Sequence, residues 1–482
     1  MSIQRNYIYN VIYQCISLVI PFATIPYIAR VLGPLNLGIT AYTNSIVQYF
    51  TLIASLGVGL YGTRQIAYVK ENKERRSKVF CGIFYTKTIV AVVVYFVFLI
   101  FVILTGKQYF SVFMLQSIYI ISAILDISWL YTGMERFDKL MIRNIIVRIT
   151  GVILVFLIVK ERSDLIKYIF IGVISELVGQ LIMWLQIKKY VSFTFVNFST
   201  IKEHFLSMCK LYIPQFIIQV YTVFDRTIIG ISTYKEEVAY FDLAKKLINM
   251  LIIFPTSLGT VMLPKISFLV ENNKNEVIKI YLHRTIEFMF YTSLPMFLGL
   301  IIVSDNLVRW LYGYNFYKSA ILIKIMAPTI FFISISNVIG IQFMVPYKKE
   351  RELTISVFAG AIMSILSNVV LVFWLKSIGA AISFLLTEAT VTIIQIAYTR
   401  NIWEYKYIIR MLLKYFIISI TMVFILILID VFIKIENFTA IFVQVIIGFL
   451  FYILSNVVLE SEIQRDVFSQ IKKFLRRSKN EI

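Results

Sequence analysis

Apolar stretches of about 20 residues recur along nearly the whole chain, and no segment between them is long enough to fold as a soluble domain. Crossing roughly 30 Å of hydrocarbon takes about 20 helical residues. The pattern predicts spans near 7–32, 37–62, 79–104, 110–133, 143–160, 166–187, 211–232, 238–262, 285–304, 321–346, 355–375, 379–399, 411–430 and 439–458. Strands of a membrane barrel would alternate over segments of about ten residues. These runs are longer and continuous, and a helix satisfies its own backbone groups, as hydrocarbon demands. With 59% hydrophobic and 15% charged residues, a soluble fold would have to hide nearly every side chain, which surface-to-volume scaling forbids. The expected fold class is therefore an all-α membrane protein of about 14 transmembrane helices.

Lys and Arg set the expected orientation. With the N-terminus inside, the inner segments carry 30 Lys or Arg and the outer connections nine, Lys107, Lys160, Arg162, Lys167, Lys235, Arg309, Lys318, Lys376 and Lys434. Both termini are expected in the cytoplasm, in the cell membrane. The net charge of +20 is scattered among short loops, which argues against nucleic acid as a partner and for the lipid bilayer. The segment before the first span is short and weakly charged, with no small-residue cleavage site after it. The first helix is expected to start insertion itself.

Catalytic signals are missing from the sequence. Cys15, Cys81 and Cys209 are dispersed and suggest neither a disulfide nor a metal site. His204 and His283 read as ordinary loop histidines. No GxxxxGK[ST], HExxH or GxSxG stands where such chemistry could be placed. No enzyme activity, metal or cofactor is expected.

Weak internal matches suggest two halves. Ser55-Leu56-Gly57 near the end of span 2 matches Ser257-Leu258-Gly259 near the end of span 8. Glu176 lies mid-span in the sixth helix and Glu388 in the twelfth; Arg30 precedes Gly33 as Arg226 precedes Gly230. Duplicated halves around a central path are a transporter habit. The expected organisation is an N-terminal lobe over 1–187, a cytoplasmic linker over 188–210 and a C-terminal lobe over 211–399. Two further spans over 400–458 and a basic tail over 459–482 complete it.

Ionisable residues within spans are costly, so they face a cavity or a partner. Arg148, Glu287 and Lys324 stand near span ends and can snorkel. Arg30, near its helix end, can either snorkel or act. Lys87 is roughly 12 Å above the inner edge, where full snorkelling is strained. The densest cluster is Asp225 and Arg226 in span 7 with Asp242, Lys245 and Lys246 in span 8. One reading is an internal ion-pair network that neutralises buried charge. The other is a cationic wall for a phosphate-bearing substrate, since Arg grips phosphate bidentately and Lys adds point charge. Asn44 and Gln48 share one face of span 2, either as interhelical glue or as part of a hydrated interior. Trp129 and Tyr131, and Trp310, Tyr312, Tyr314 and Tyr317, read as an interfacial aromatic belt before they read as a sugar platform.

These residues carry a family resemblance. Span 1 closes with Pro26-Tyr27-Ile28-Ala29-Arg30-Val31-Leu32-Gly33-Pro34. Span 7 carries Asp225-Arg226-Thr227-Ile228-Ile229-Gly230, span 8 opens Val238-Ala239-Tyr240-Phe241-Asp242-Leu243-Ala244-Lys245-Lys246-Leu247 and ends Leu263-Pro264-Lys265-Ile266-Ser267. The chain resembles the polysaccharide biosynthesis proteins, the Wzx-type oligosaccharide flippases. These share the MOP superfamily with MATE exporters and lipid II flippases. Ala239 stands where such proteins often have Gly. The resemblance implies two six-helix lobes, MATE-like, plus two C-terminal helices, working by alternating access. It implies translocation of undecaprenyl-pyrophosphate-linked oligosaccharide repeat units for capsule, O-antigen or exopolysaccharide assembly. A lipid II flippase or a MATE-like cation-coupled exporter is the alternative. Under this reading Arg30, Lys87, Arg226, Lys245, Lys246, Asn44 and Gln48 receive the substrate. Asp126, Glu176 and Glu388 are candidates for coupling to H+ or Na+, and polymerase and glycosyltransferases of the same pathway are expected partners.

Overall fold

The computed structural model describes residues 3–433 and 438–465. The expected basic tail beyond Arg465 and Lys434 lie outside the described residues, as do the side chains of Arg5, Cys15 and Pro214. Among the described residues all regular structure is helical. The helices are α1 (Ile3–Ser55), α2 (Val58–Tyr68), α3 (Lys73–Leu104), α4 (Phe110–Gln116), α5 (Ile118–Leu125), α6 (Ser128–Gly133), α7 (Phe137–Ile158), α8 (Leu165–Trp184) and α9 (Phe198–Ser232). Then come α10 (Lys235–Glu271), α11 (Asn275–Tyr312), α12 (Tyr317–Met326), α13 (Thr329–Ser336), a π-helical segment Asn337–Met344, α14 (Glu350–Leu375), α15 (Ser377–Tyr398), α16 (Tyr405–Ile433) and α17 (Phe438–Val458).

α3 shows why these helices form and where they belong. Asn72 caps it, its Oδ1 accepting the Arg75 N–H at 3.0 Å. Ala91, Val94, Phe98 and Val102 are buried, while Val93, Phe96, Val97, Ile100 and Ile103 on the other side are exposed. A helix apolar all round is solvated on its outer face by lipid.

Eleven helices among the described residues are long and apolar enough to cross a membrane, or twelve with the pair Tyr314–Met326 and Thr329–Met344, bent by 45°. α1 would be about 80 Å long at 1.5 Å per residue, far more than one crossing. It is broken at Gly33, where φ is 75° and Pro34 opens the next helix. Separating its two halves and adding α9, which carries the charged pair Asp225 and Arg226, brings the spans to about fourteen.

The chain divides into two compact units, Met1–Ala239 and Tyr240–Ile482. In the first, one core gathers Leu56, Tyr61, Phe80, Trp129, Tyr131 and Met183 among others. Trp129 and Tyr131 are each 1% exposed, so they are core residues and not an interfacial belt. Trp129 stacks on Phe80 at 5.3 Å between centroids, and the Tyr131 hydroxyl donates to the Met183 carbonyl at 2.6 Å. His204, expected in a loop, lies in the early turns of α9. Its Nδ1 is 2.8 Å from the Tyr61 hydroxyl, and its ring lies against Gly82, where a Cβ would come within 2.7 Å of it. Burial pushes its imidazole below the ordinary range.

Ser55-Leu56-Gly57 ends α1 in a left-handed turn, Leu56 at φ 44° and Gly57 at φ 65°. Ser257-Leu258-Gly259 remains helical inside α10, so the two tripeptides do different work. Gly57 also lies against Tyr212, where a Cβ would come within 2.6 Å of the ring.

In the second unit α16 and α17 share a core with α11, built around Met289, Phe290, Tyr415, Met422 and Tyr452. Glu287 is buried there, 6% exposed, rather than snorkelling. The Tyr415 hydroxyl donates to Glu287 Oε1 at 2.6 Å and lies 2.8 Å from Ser461 Oγ. Tyr415→Phe is expected to destabilise the protein by about 2 kcal/mol, because it strips a buried carboxyl of its donor. Combining it with Glu287→Leu should recover much of that loss, since the buried charge goes too. Thermal unfolding in detergent reads both; an unchanged midpoint for Tyr415→Phe would contradict the role given to this pair.

Candidate functional site

The polar face of the first unit is built where the second half of α1 runs along α9. Small residues let α1 come close to α9 and to the start of α10. A Cβ on Gly38 would lie 1.7 Å from the Lys235 carbonyl oxygen, and one on Gly230 would lie 2.0 Å from the Tyr42 ring. Lys235 donates to the Gly230 carbonyl, and its ammonium sits 3.9 Å above the Tyr42 ring centre.

Further along the same contact, polar groups pair in order. Arg226 Nη2 donates to Gln48 Oε1 at 3.1 Å. The Thr227 hydroxyl donates to Ser45 Oγ at 2.9 Å and lies 3.2 Å from the Tyr49 hydroxyl. Arg226 is half-buried, and Asp225 beside it is 2% exposed. The guanidinium therefore stands within the bundle, held at one end by an amide oxygen. A guanidinium has five N–H donors in a planar fork, and the match to phosphate oxygens is bidentate. Asn44, one turn before Gln48, is half-buried.

A second polar locus of this unit arises where the fourth span breaks. Helix α5 stops at Leu125, and α6 starts at Ser128. Asp126 sits in the gap with extended backbone, its Oδ1 accepting the Ser128 N–H at 2.9 Å. Lys87, fully buried, reaches the Asp126 carbonyl at 2.5 Å, and Trp184 Nε1 donates to the Leu125 carbonyl at 2.7 Å. These donors satisfy carbonyls that the break leaves without helical partners. A cation at the C-terminal end of a half-helix is also favoured by its dipole. Sequence reasoning found Lys87 and Asp126 separately. It missed that a helix break joins them, because the stretch Ile124-Leu125-Asp126-Ile127 contains neither Gly nor Pro.

The remaining candidates are placed as follows. Arg30 is exposed, one turn before the Gly33 kink. Glu176 is exposed on α8 and accepts from Gln180 Nε2 at 2.8 Å. In the second unit Lys246 is paired with Asp242 at 2.7 Å. The Lys245 ammonium lies 4.6 Å from the Phe384 ring centre and 5.5 Å from that of Phe241. Glu388 is half-buried one turn beyond Phe384 on α15. The arrangement can receive an anion and hold a proton or cation on scattered acids; no group of three or more His, Cys, Asp or Glu that could hold a metal occurs among the described residues.

Comparison with known proteins identifies the family and the fold. The chain is 25% identical over 406 residues to a protein assigned as an O-antigen transporter in Escherichia coli (strain K12), covering 83% of this chain and 97% of that one. Its fold is similar to that of the lipid II flippase MurJ in an inward closed conformation, with a TM-score of 0.76 and 18% identity, covering 96% of this chain and 100% of that one. An inward-facing multidrug resistance MATE family transporter of the MOP superfamily is similar with a TM-score of 0.63 and 14% identity, covering 79% of this chain and 93% of that one. Residues 3–270, more than half of the chain, match the family described as Polysaccharide biosynthesis protein, and the chain belongs to that family.

Proposed function

We propose that this protein is a flippase that carries undecaprenyl-pyrophosphate-linked oligosaccharide repeat units across the cytoplasmic membrane, for assembly into a surface polysaccharide. The observation that carries this reading is Arg226, a half-buried guanidinium inside the bundle that is bonded to Gln48. The family and the E. coli relative point to the same chemistry. In the first unit Arg226 and Gln48, with Asn44 and Arg30, serve the pyrophosphate head group, whereas Lys87, fully buried on the Asp126 carbonyl, holds the helix break. In the second unit Lys245 and Lys246 are the candidates for the same chemistry. The protein acts without catalysis, by alternating access. Asp126, Glu176 and Glu388 are the acids through which H+ or Na+ would couple to transport; glycosyltransferases act before it and a polymerase after it. A MATE-like exporter of cations is disfavoured by the charge sign: its pocket would be acidic, whereas the paired residue here is Arg226.

Expression in a host deleted for its own repeat-unit flippase tests the reading directly. Surface polysaccharide should return with the wild-type chain; its failure to return, with the protein present in the membrane, would refute the substrate class.

The charge bias of the connections supports a cytoplasmic location for both termini. Reporters active only outside the cell, fused at residues 107, 162, 235 and 312, should each give signal. Fusions at 70 and 274 should be silent, and signal from either would overturn the orientation.

A further inference from the structure

Helices α7 and α8 of the first unit enclose a groove that the proposed transport path does not use. Its volume is about 220 Å³, and Val147, Thr150, Leu154, Phe170, Ser175 and Val178 help to line it. It runs from Ile146 to Ile158 along α7, about 18 Å at 1.5 Å per residue, close to the depth of one leaflet's hydrocarbon. Ile146, Ile153, Leu157, Phe170 and Val178 on the same two helices are exposed, so the groove opens on the surface that lipid solvates.

A charge stands just beyond one end of this apolar lining. Arg143 lies one turn before Val147 and is 8% exposed, yet its Nε has no hydrogen-bond partner among the described residues. Gly179 makes room for it: a Cβ there would lie 3.2 Å from both Arg143 Nη1 and Val147 Cγ2. Gln180, 5% exposed, spends its Nε2 on Glu176, and its Oε1 is likewise unpartnered among the described residues. Lys139 stands one turn further toward the helix start, on the face of Arg143. Asp138 is engaged by Arg136 at 3.2 Å. A buried guanidinium with an unused donor is costly, and a group that supplies an acceptor there relieves it.

We propose that this groove is a binding site for an anionic phospholipid of the bilayer, its phosphate at Arg143 and one acyl chain along α7 and α8. Charge complementarity selects the head group and the aliphatic lining selects the chain. Basic pockets between membrane helices hold anionic lipid head groups in this way. The proposal needs only the membrane location and stands apart from the identity of the transported substrate.

The test uses the full chain purified in detergent and native mass spectrometry of retained lipid. Dioleoyl phosphatidylglycerol, dioleoyl phosphatidylcholine and undecaprenyl phosphate are titrated separately. Wild-type protein should hold phosphatidylglycerol roughly tenfold more tightly than phosphatidylcholine, the worth of one charge-assisted contact. Arg143→Gln should remove that preference and Arg143→Lys keep part of it. Thr150→Trp, which fills the groove from its exposed side and leaves Arg143 in place, should weaken both phospholipids. Equal retention of phosphatidylglycerol by wild type, Arg143→Gln and Thr150→Trp would overturn the site. Tighter binding of undecaprenyl phosphate than of phosphatidylglycerol would overturn the assignment to a bilayer lipid. Loss of bound phosphatidylglycerol to inorganic phosphate alone would show that no chain is bound.

Discussion

Arg226→Ala is expected to abolish most export of surface polysaccharide while the protein still inserts at wild-type abundance. The side chain is half-buried and its Nη2 is bonded to Gln48 Oε1 at 3.1 Å. A charge at that depth is expensive, so it is kept where acceptors meet it, and under the proposed function the phosphate groups of the substrate are among them. Losing the guanidinium removes charge and the bidentate fork together. Arg226→Lys keeps the charge alone and should retain part of the transport. Gln48→Ala should cost less than Arg226→Ala, because it removes an orienting acceptor and leaves the cation. Charge-assisted contacts of this kind are worth about 1.5–3 kcal/mol each, or roughly a tenfold to hundredfold loss per contact. Export is measured in the deletion host and normalised to membrane abundance. Wild-type export by Arg226→Ala would assign the residue to helix packing.

Gly38→Ala is expected to lower membrane abundance sharply. Its new Cβ would lie 1.7 Å from the Lys235 carbonyl oxygen, a backbone atom that cannot swing away. The neighbouring Gly230→Ala meets the ring of Tyr42 at 2.0 Å, and that ring is a side chain. The two substitutions should therefore differ in rescue. Tyr42→Ala should restore Gly230→Ala in part and leave Gly38→Ala unimproved. Overpacking costs about 1–3 kcal/mol and more where backbone must move. That is a large share of the 5–15 kcal/mol typical of a folded chain. Abundance in membranes and thermal unfolding in detergent report both effects, and a wild-type level of Gly38→Ala would contradict the close approach.

Much of this was legible in the sequence for a physical reason: membrane helices announce themselves by length and apolarity. Gly33-Pro34 marked the turn between the first two spans, and the structure breaks α1 there. Gln48 and Arg226 were read apart as polar residues at membrane depth, and the fold pairs them. What stayed hidden depends on contacts between distant segments. Glu287 looked able to snorkel because its span ends nearby, but Tyr415, 128 residues away, holds it in a core. Trp129 and Tyr131 looked interfacial, since an aromatic near a span end reads alike whether lipid or protein covers it. The break at Asp126 has neither Gly nor Pro, and it is satisfied by Lys87 and Trp184 from two other helices. Arg143 stands at the start of the expected fifth span, and its burial against Gly179 is visible only once α7 and α8 are packed.

The central claim is that the chain moves a pyrophosphate-linked oligosaccharide lipid across a bilayer. It is tested most directly in proteoliposomes loaded with such a lipid, by the appearance of its sugar to a lectin that cannot cross the membrane. Wild-type protein should expose internal substrate faster than protein-free liposomes, and Arg226→Ala should fall close to the protein-free rate. Equal rates for wild-type and protein-free liposomes, with correctly inserted protein, would contradict the account.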